Sequence, residues 1–276
     1  MTVIFSVILQ LLLVTSAGIF WSHSLLPLAY GQPSEGPLPV LLIHGYASNA
    51  LVWREWEERL NDRGIPAHAV TFSGDDECGT SEEHADELIQ IVEDFKTDTQ
   101  RDKINIVAHS KGGLDARLYL ATNPSNDHVA NLIMIGTPNA GSELADIHHE
   151  DDPCKPAVYD LLTSAPVNQV DNNDNTKYHT IASNWKSVYW PPFTAFDINC
   201  PAPLFWFDVE GWNMLTFQYL GRQELGLGRP SDGLVPIDSV EEPGQFNSLG
   251  RTDNCHTNMF TNEEYNKVLR VLLRPE

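Results

Sequence analysis

Short apolar runs alternate with longer stretches of helical periodicity from about residue 40 to residue 138. Residues 40–46, VLLIHGY, are apolar without polar alternation up to Ile43, the pattern of a strand buried on both faces. Residues 49–64 read as a helix that stops at Gly64. Residues 66–72, PAHAVTF, give a second strand. A second helix follows over 80–95, opened by a capping box of Thr80 and Glu83. Its apolar residues Ala85, Leu88, Ile89, Val92 and Phe95 predict one buried face. KINIVAH (103–109) is a third strand, GGLDARLYLAT (112–122) a third helix and NLIMIGTP (131–138) a fourth strand. Strands and helices in this order build parallel βαβ units. Helices then cover both faces of the sheet, and a site is expected at the carboxyl ends of the strands.

The rhythm breaks after Pro138. Residues 142–177 are polar and rich in Asn and Asp, and KYHTIASN (177–184) reads as one more strand. Residues 185–229 are dense in aromatics and proline, and 262–273 form an amphipathic closing helix. Both irregular stretches are predicted to rise above the sheet as cap insertions. One domain over 39–276 is the expected organisation. It is preceded by a Pro/Gly linker at 31–38 and an apolar segment at 1–30.

That first segment, MTVIFSVILQLLLVTSAGIF at its start, changes the picture. It reads as a signal peptide or an N-terminal membrane anchor, although it lacks a basic n-region. Both readings predict a secreted or extracytoplasmic domain. The four cysteines, Cys78, Cys154, Cys200 and Cys255, then suggest disulfides, with three pairings open. Their spacing does not resemble a zinc site, and no metal or cofactor is expected. HHEDD (148–152) reads as a solvated acidic loop. The net charge of -21 argues against a nucleic-acid partner, because phosphate binding needs a basic surface. A membrane surface stays a candidate contact, and the pattern specifies no oligomeric state.

The chemistry centres on AHSKG (108–112). A serine hydroxyl is a weak nucleophile that needs a base for its proton and donors for the oxyanion. A tight strand-to-helix turn lifts the hydroxyl above the sheet, and only small residues fit around it. Ala108 and Gly112 meet that need, so Ser110 is the expected nucleophile. In this arrangement the acid and then the histidine follow the serine along the chain. His256 is the only histidine in the last third and is expected to be the general base. Asp232, in SDGLVP, is the preferred acid, with Asp238 and Asp253 as rivals. The oxyanion hole is expected from the backbone N–H groups of Lys111 and Tyr46. The Tyr46 ring also suits the wall of an acyl pocket. Trp206 and Trp212, within the aromatic insert, are further candidates for substrate contact.

VLLIHGY, VAHSKGG, LIMIGTPNAGS, SDGLVP and the late His256 stand in the order found in secreted bacterial triacylglycerol lipases of the α/β-hydrolase superfamily. The chain resembles them over about 38–140 and 228–272. The alanine before HSKGG is similar to the Ala-x-Ser-x-Gly variant of the smallest bacterial lipases. The resemblance implies an α/β-hydrolase fold with a mostly parallel central sheet. It also implies a triad of Ser110, Asp232 and His256 with Tyr46 and Lys111 as the oxyanion hole. The calcium site of the larger lipases is not carried over, because Thr257 and Asn258 follow the histidine. Cys255 beside His256 suggests a bridge that pins the histidine loop, with Cys200 as the preferred partner. The function expected is hydrolysis of lipid or other apolar acyl esters through an acyl-enzyme. An acyltransferase or thioesterase with the same triad is the alternative. A non-catalytic binding module on a hydrolase scaffold is a third reading.

Overall fold

A computed structural model describes residues 36–73, 78–123, 127–152, 154–185, 229–242 and 244–274. The segment 1–30, most of the linker, Cys200, Trp206, Trp212 and the body of the aromatic insert lie outside the described residues.

Six strands form one parallel sheet in the order β2-β1-β3-β4-β5-β6. They are β1 (Val40–Ile43), β2 (Ala67–Ala69), β3 (Ile104–His109), β4 (Val129–Ile135), β5 (Lys177–Ser183) and β6 (Asn247–Thr252). Every residue of β1 and β3 is buried, as expected of runs without alternation. The helices are α1 (Arg54–Asn61), α2 (Ser81–Thr99), α3 (Lys111–Thr122), α4 (Glu143–His148), α5 (Lys155–Val158), α6 (Ile237–Glu241) and α7 (Asn262–Leu272).

Alternate strand residues feed two cores. On one face Val40, Leu42, Val107, Ile133 and Ile181 meet Trp56 and Leu60 of α1 and Tyr265, Val268 and Val271 of α7. On the other, Leu41, Ile43, Ile106, Ala108 and Met134 meet Leu88 and Val92 of α2 and Ala116, Tyr119 and Leu120 of α3. Helices therefore cover both faces, as the sequence predicts.

The capping box of α2 forms as expected. Thr80 accepts from the Glu83 N–H, and the Glu83 carboxylate accepts from the Thr80 N–H at 2.8 Å. Three local expectations change. The stretch before α1 is a 3-10 turn, Ala50–Trp53, capped by the Asn49 side chain. Ile89 is 45% exposed, because the buried stripe of α2 runs through Ala85, Leu88 and Val92 and leaves Ile89 on its flank. β6 was not expected at all. Its sequence NSLGRT is largely polar and half open to solvent, so no hydrophobic pattern announces this edge strand.

Between Glu143 and Gln169 the described residues form α4, α5 and three 3-10 turns, His149–Asp151, Tyr159–Leu161 and Pro166–Gln169. A disulfide joins Cys78, just before α2, to Cys154, just before α5. Cys255 is disulfide-bonded as well. The Cys78–Cys154 bridge spans 76 residues. By chain entropy such a crosslink contributes roughly 4 kcal/mol. A Cys78→Ala/Cys154→Ala double variant is expected to melt about 10 °C lower by calorimetry. A shift of only a degree or two would show that the bridge hardly constrains the unfolded chain.

Candidate active site

Parallel order puts the loops after β1, β3, β4 and β5 at one edge of the sheet. β3 ends at His109, and Ser110 turns the chain directly into α3. Ser110 sits at φ 54° and ψ -132°, a conformation that costs a non-glycine residue about 1–3 kcal/mol. Its N–H donates to the Ile135 carbonyl at 2.9 Å and its carbonyl accepts from Gly113 N–H at 3.0 Å. These two bonds hold the turn while the side chain is left to other partners.

Ser110 Oγ lies 2.8 Å from His256 Nε2. His256 Nδ1 lies 2.7 Å from Asp232 Oδ2. The other Asp232 oxygen accepts from Leu234 N–H at 2.9 Å and Val235 N–H at 2.7 Å. His256 N–H also donates to the Asp232 carbonyl at 3.0 Å, so the aspartate and histidine loops are bonded by backbone and side chain alike. All three residues are buried. The rivals for the acid are elsewhere: Asp238 is an exposed partner of Arg229, and Asp253 is exposed.

The supporting bonds explain why these loops hold still. Ser183 Oγ, at the end of β5, donates within reach of Thr252 O (3.0 Å) and Asn254 O (2.6 Å) on the way to His256. The GTPNAGS stretch after β4 grips the aspartate segment. Ser142 Oγ donates to Leu234 O at 2.8 Å, and Asn139 Nδ2 to Val240 O at 2.8 Å. Behind the histidine, Asn254 Nδ2 donates to the buried Glu264 carboxylate at 2.7 Å, at the capped start of α7.

His44, Gly45 and Tyr46 follow β1 and lie beside the serine turn, because β1 and β3 are neighbours. A Cβ on Gly45 would stand 2.7 Å from Ser110 Cβ and 3.0 Å from His109 O, so only glycine allows this approach. The Tyr46 hydroxyl donates to Asp152 Oδ1, and the Asp152 carboxylate also accepts from Cys154 N–H. Burial, joined by the Asp152 carboxylate, pushes the phenol well above its usual range. Asp152 is therefore a structural acceptor. Among the described residues no group of three His, Cys, Asp or Glu is arranged to hold a metal.

His109 is a neighbour of the candidate site that the sequence did not single out. With Nε2 protonated, its ring donates to the His256 carbonyl, 2.9 Å away, and packs against the His256 ring at 4.8 Å. Burial, with His256 beside it, holds its pKa well below the usual value. His44 is lowered by burial too, and His179 is lowered by burial to about 4. These rings are kept neutral in the fold, whereas in the unfolded chain they protonate below about pH 6.5. The unfolded state then binds more protons, so their contribution is intact above that pH and is lost as pH falls. The unfolding free energy from urea titrations is expected to stay level down to about pH 6.5 and then to fall toward pH 5, by up to about 1.4 kcal/mol per pH unit for each group. A flat profile would contradict this assignment.

A family model described as "alpha/beta hydrolase fold" matches residues 39–160. A Bacillus licheniformis lipase in its mature form superposes with a TM-score of 0.67 over 88% of this chain and 95% of its own, at 20% identity. The chain has the α/β-hydrolase fold. A metagenomic carboxyl esterase shares this fold with a TM-score of 0.59 over 81% of this chain and 66% of its own, at 16% identity. In sequence, the chain is 29% identical over 158 residues to a triacylglycerol lipase of Burkholderia plantarii, covering 55% of this chain and 41% of that protein. It is 31% identical over 135 residues to a triacylglycerol lipase of Pseudarthrobacter phenanthrenivorans, covering 47% and 39%. The chain thus spans about two fifths of the length of these curated relatives.

Proposed function

We propose that this α/β-hydrolase is a secreted serine carboxylic ester hydrolase that acts on lipid or other apolar acyl esters. The reading rests above all on the continuous chain from Ser110 Oγ through His256 to Asp232, at 2.8 and 2.7 Å. The similarity to triacylglycerol lipases supports the substrate class. The apolar N-terminal segment and the Cys78–Cys154 bridge support an oxidising, extracytoplasmic location.

His256 Nε2 takes the Ser110 proton as Oγ attacks the ester carbonyl carbon. The Asp232 carboxylate holds the Nδ1–H tautomer and stabilises the imidazolium that forms. The carbonyl oxygen becomes an oxyanion received by the backbone N–H groups of Tyr46 and Lys111. Collapse breaks the ester C–O bond, and His256 returns its proton to the departing alcohol. Water then attacks the acyl-enzyme, gives a proton to His256 and releases the carboxylic acid, while Ser110 regains its proton. Trp206 and Trp212 remain candidates for the acyl-chain wall.

The test pairs two measurements. p-Nitrophenyl esters of short and long acyl chains are offered to the protein, and an alkyl fluorophosphonate is used to label it. Ester turnover with a single phosphonyl adduct on the peptide carrying Ser110 is the expected result. A long-chain preference assigns lipid esters and a short-chain preference small esters. No turnover of any ester by folded protein would remove the hydrolase reading.

A further inference from the structure

Lys111 begins α3 directly after the nucleophile, yet its side chain is only 2% exposed. Its ammonium lies 2.7 Å from Asp115 Oδ1, one turn further along the same helix, and Asp115 is 1% exposed. The Asp115 carboxylate is shared with α2. Ser81 Oγ donates to Oδ1 at 2.6 Å, and the His84 ring nitrogen Nδ1 lies 2.8 Å from Oδ2. Asp160 adds a second carboxylate, accepting from Ser81 N–H at 2.6 Å and lying 3.8 Å from the Lys111 ammonium. Such a cluster is unlike the solvated Lys–Asp pair usual on a helix surface.

Two further contacts join the cluster to the loop after β1. The His84 ring stacks on Phe72 at 3.8 Å, and both face the His44 ring, at 6.4 and 5.4 Å. A Cβ on Gly112 would stand 2.2 Å from the His44 carbonyl oxygen, so the first turn of α3 presses on that loop's backbone. The start of α3 also lacks the usual side-chain cap, because the Ser110 hydroxyl is turned toward His256. Its first turn is held instead by the Gly113 N–H bond to Ser110 O and by the buried Lys111–Asp115 side chains.

We propose that Asp115 is a positioning residue for the oxyanion hole. Through Lys111, Ser81 and His84 it locks the first turn of α3 to the start of α2 and to the His44–Tyr46 loop, so that the Lys111 and Tyr46 N–H groups converge. This inference rests on the ester hydrolase reading above. Burial alone would raise the Asp115 carboxyl, but Lys111 and His84 outweigh it and hold it below the ordinary range. A buried ion pair contributes little net stability compared with apolar residues of similar volume. What directional hydrogen bonds supply here is orientation, and a donor displaced by about 1 Å costs on the order of a hundredfold in rate.

That contrast defines the test. Asp115→Asn and the double variant Lys111→Met/Asp115→Leu are compared with the wild type. The fraction of reactive Ser110 is titrated with an alkyl fluorophosphonate, and kcat is expressed per titrated serine. An alkyl boronic acid serves as a tetrahedral analogue. The double variant is expected to stay folded and melt only some degrees lower, since apolar residues fill the space of the ion pair while Ser81 and His84 lose their acceptor. Its kcat per titrated serine is expected to fall by about tenfold or more, with KM changed less than about twofold. Boronate affinity is expected to fall by the same factor. A per-site kcat and boronate affinity at the wild-type level in the double variant would overturn the proposal, as would a loss confined to the titre or to KM. If Asp115→Asn does not fold, the double variant still decides. A wild type that neither turns over esters nor takes the label strikes the hydrolase reading instead.

Discussion

Ser110→Ala is expected to lower kcat for ester hydrolysis by about a millionfold, leaving only the residual acceleration from binding and oxyanion donors. The covalent route needs an oxygen at this position, and alanine removes it without disturbing the backbone bonds of the turn. Those bonds run from Ser110 N–H to Ile135 O and from Gly113 N–H to Ser110 O, and neither uses the side chain. Alanine is as small as serine, so it clears Gly45, the residue packed on the Ser110 Cβ. Melting temperature is therefore expected to stay within about 3 °C of the wild type, which separates a chemical loss from a folding loss. Initial rates with p-nitrophenyl butyrate and a melting curve on the same preparation make the comparison. Retention of more than a hundredth of the wild-type rate would show that another residue attacks the ester.

Asp232→Asn is expected to cost about ten-thousandfold in kcat, for a different reason. An asparagine oxygen still accepts from the Leu234 and Val235 N–H groups, so the loop keeps its shape. The amide nitrogen then faces His256 Nδ1, where the carboxylate oxygen stood. That nitrogen donates, so Nδ1 must accept, and the ring proton moves to Nε2. Nε2 then points a hydrogen at Ser110 and cannot take the serine proton. Neither can the amide stabilise an imidazolium. The measurement is kcat against pH for the same ester. A loss below about tenfold would mean that a different carboxylate orients the histidine.

How much of this was legible before folding depends on the element. β1, β3 and β4 were readable because parallel strands buried on both faces leave unbroken apolar runs. α2 was readable because its capping box is local, involving Thr80 and Glu83 alone. β6 was not, since it joins the sheet through its backbone bonds to β5 while half of its residues are exposed and most are polar. The register of α2 was readable only approximately. A repeat of 3.6 residues places Ile89 beside the buried stripe, and the neighbouring helices decide whether the flank is covered.

The site divides in the same manner. AHSKG and SDGLVP carry their meaning in small residues at close spacing, so Ser110 and Asp232 could be nominated from the string, and His256 by its place in chain order. The candidates Ser110, His256 and Asp232, the parallel architecture and the acidic net charge are all written in local sequence, because each depends on residue type, spacing or periodicity along one strand of chain. The 2.7 and 2.8 Å bonds that join residues 24 and 146 positions apart are not. Neither is the bond from His109 to the His256 carbonyl, nor the burial of Lys111 with Asp115 against Ser81 and His84. A lysine and an aspartate four apart on a helix read alike whether they face water or a packed neighbour. Only the docking of α2, α3 and the loop after β1 turns that pair into a buried cluster, since desolvation is a property of what surrounds a residue in space.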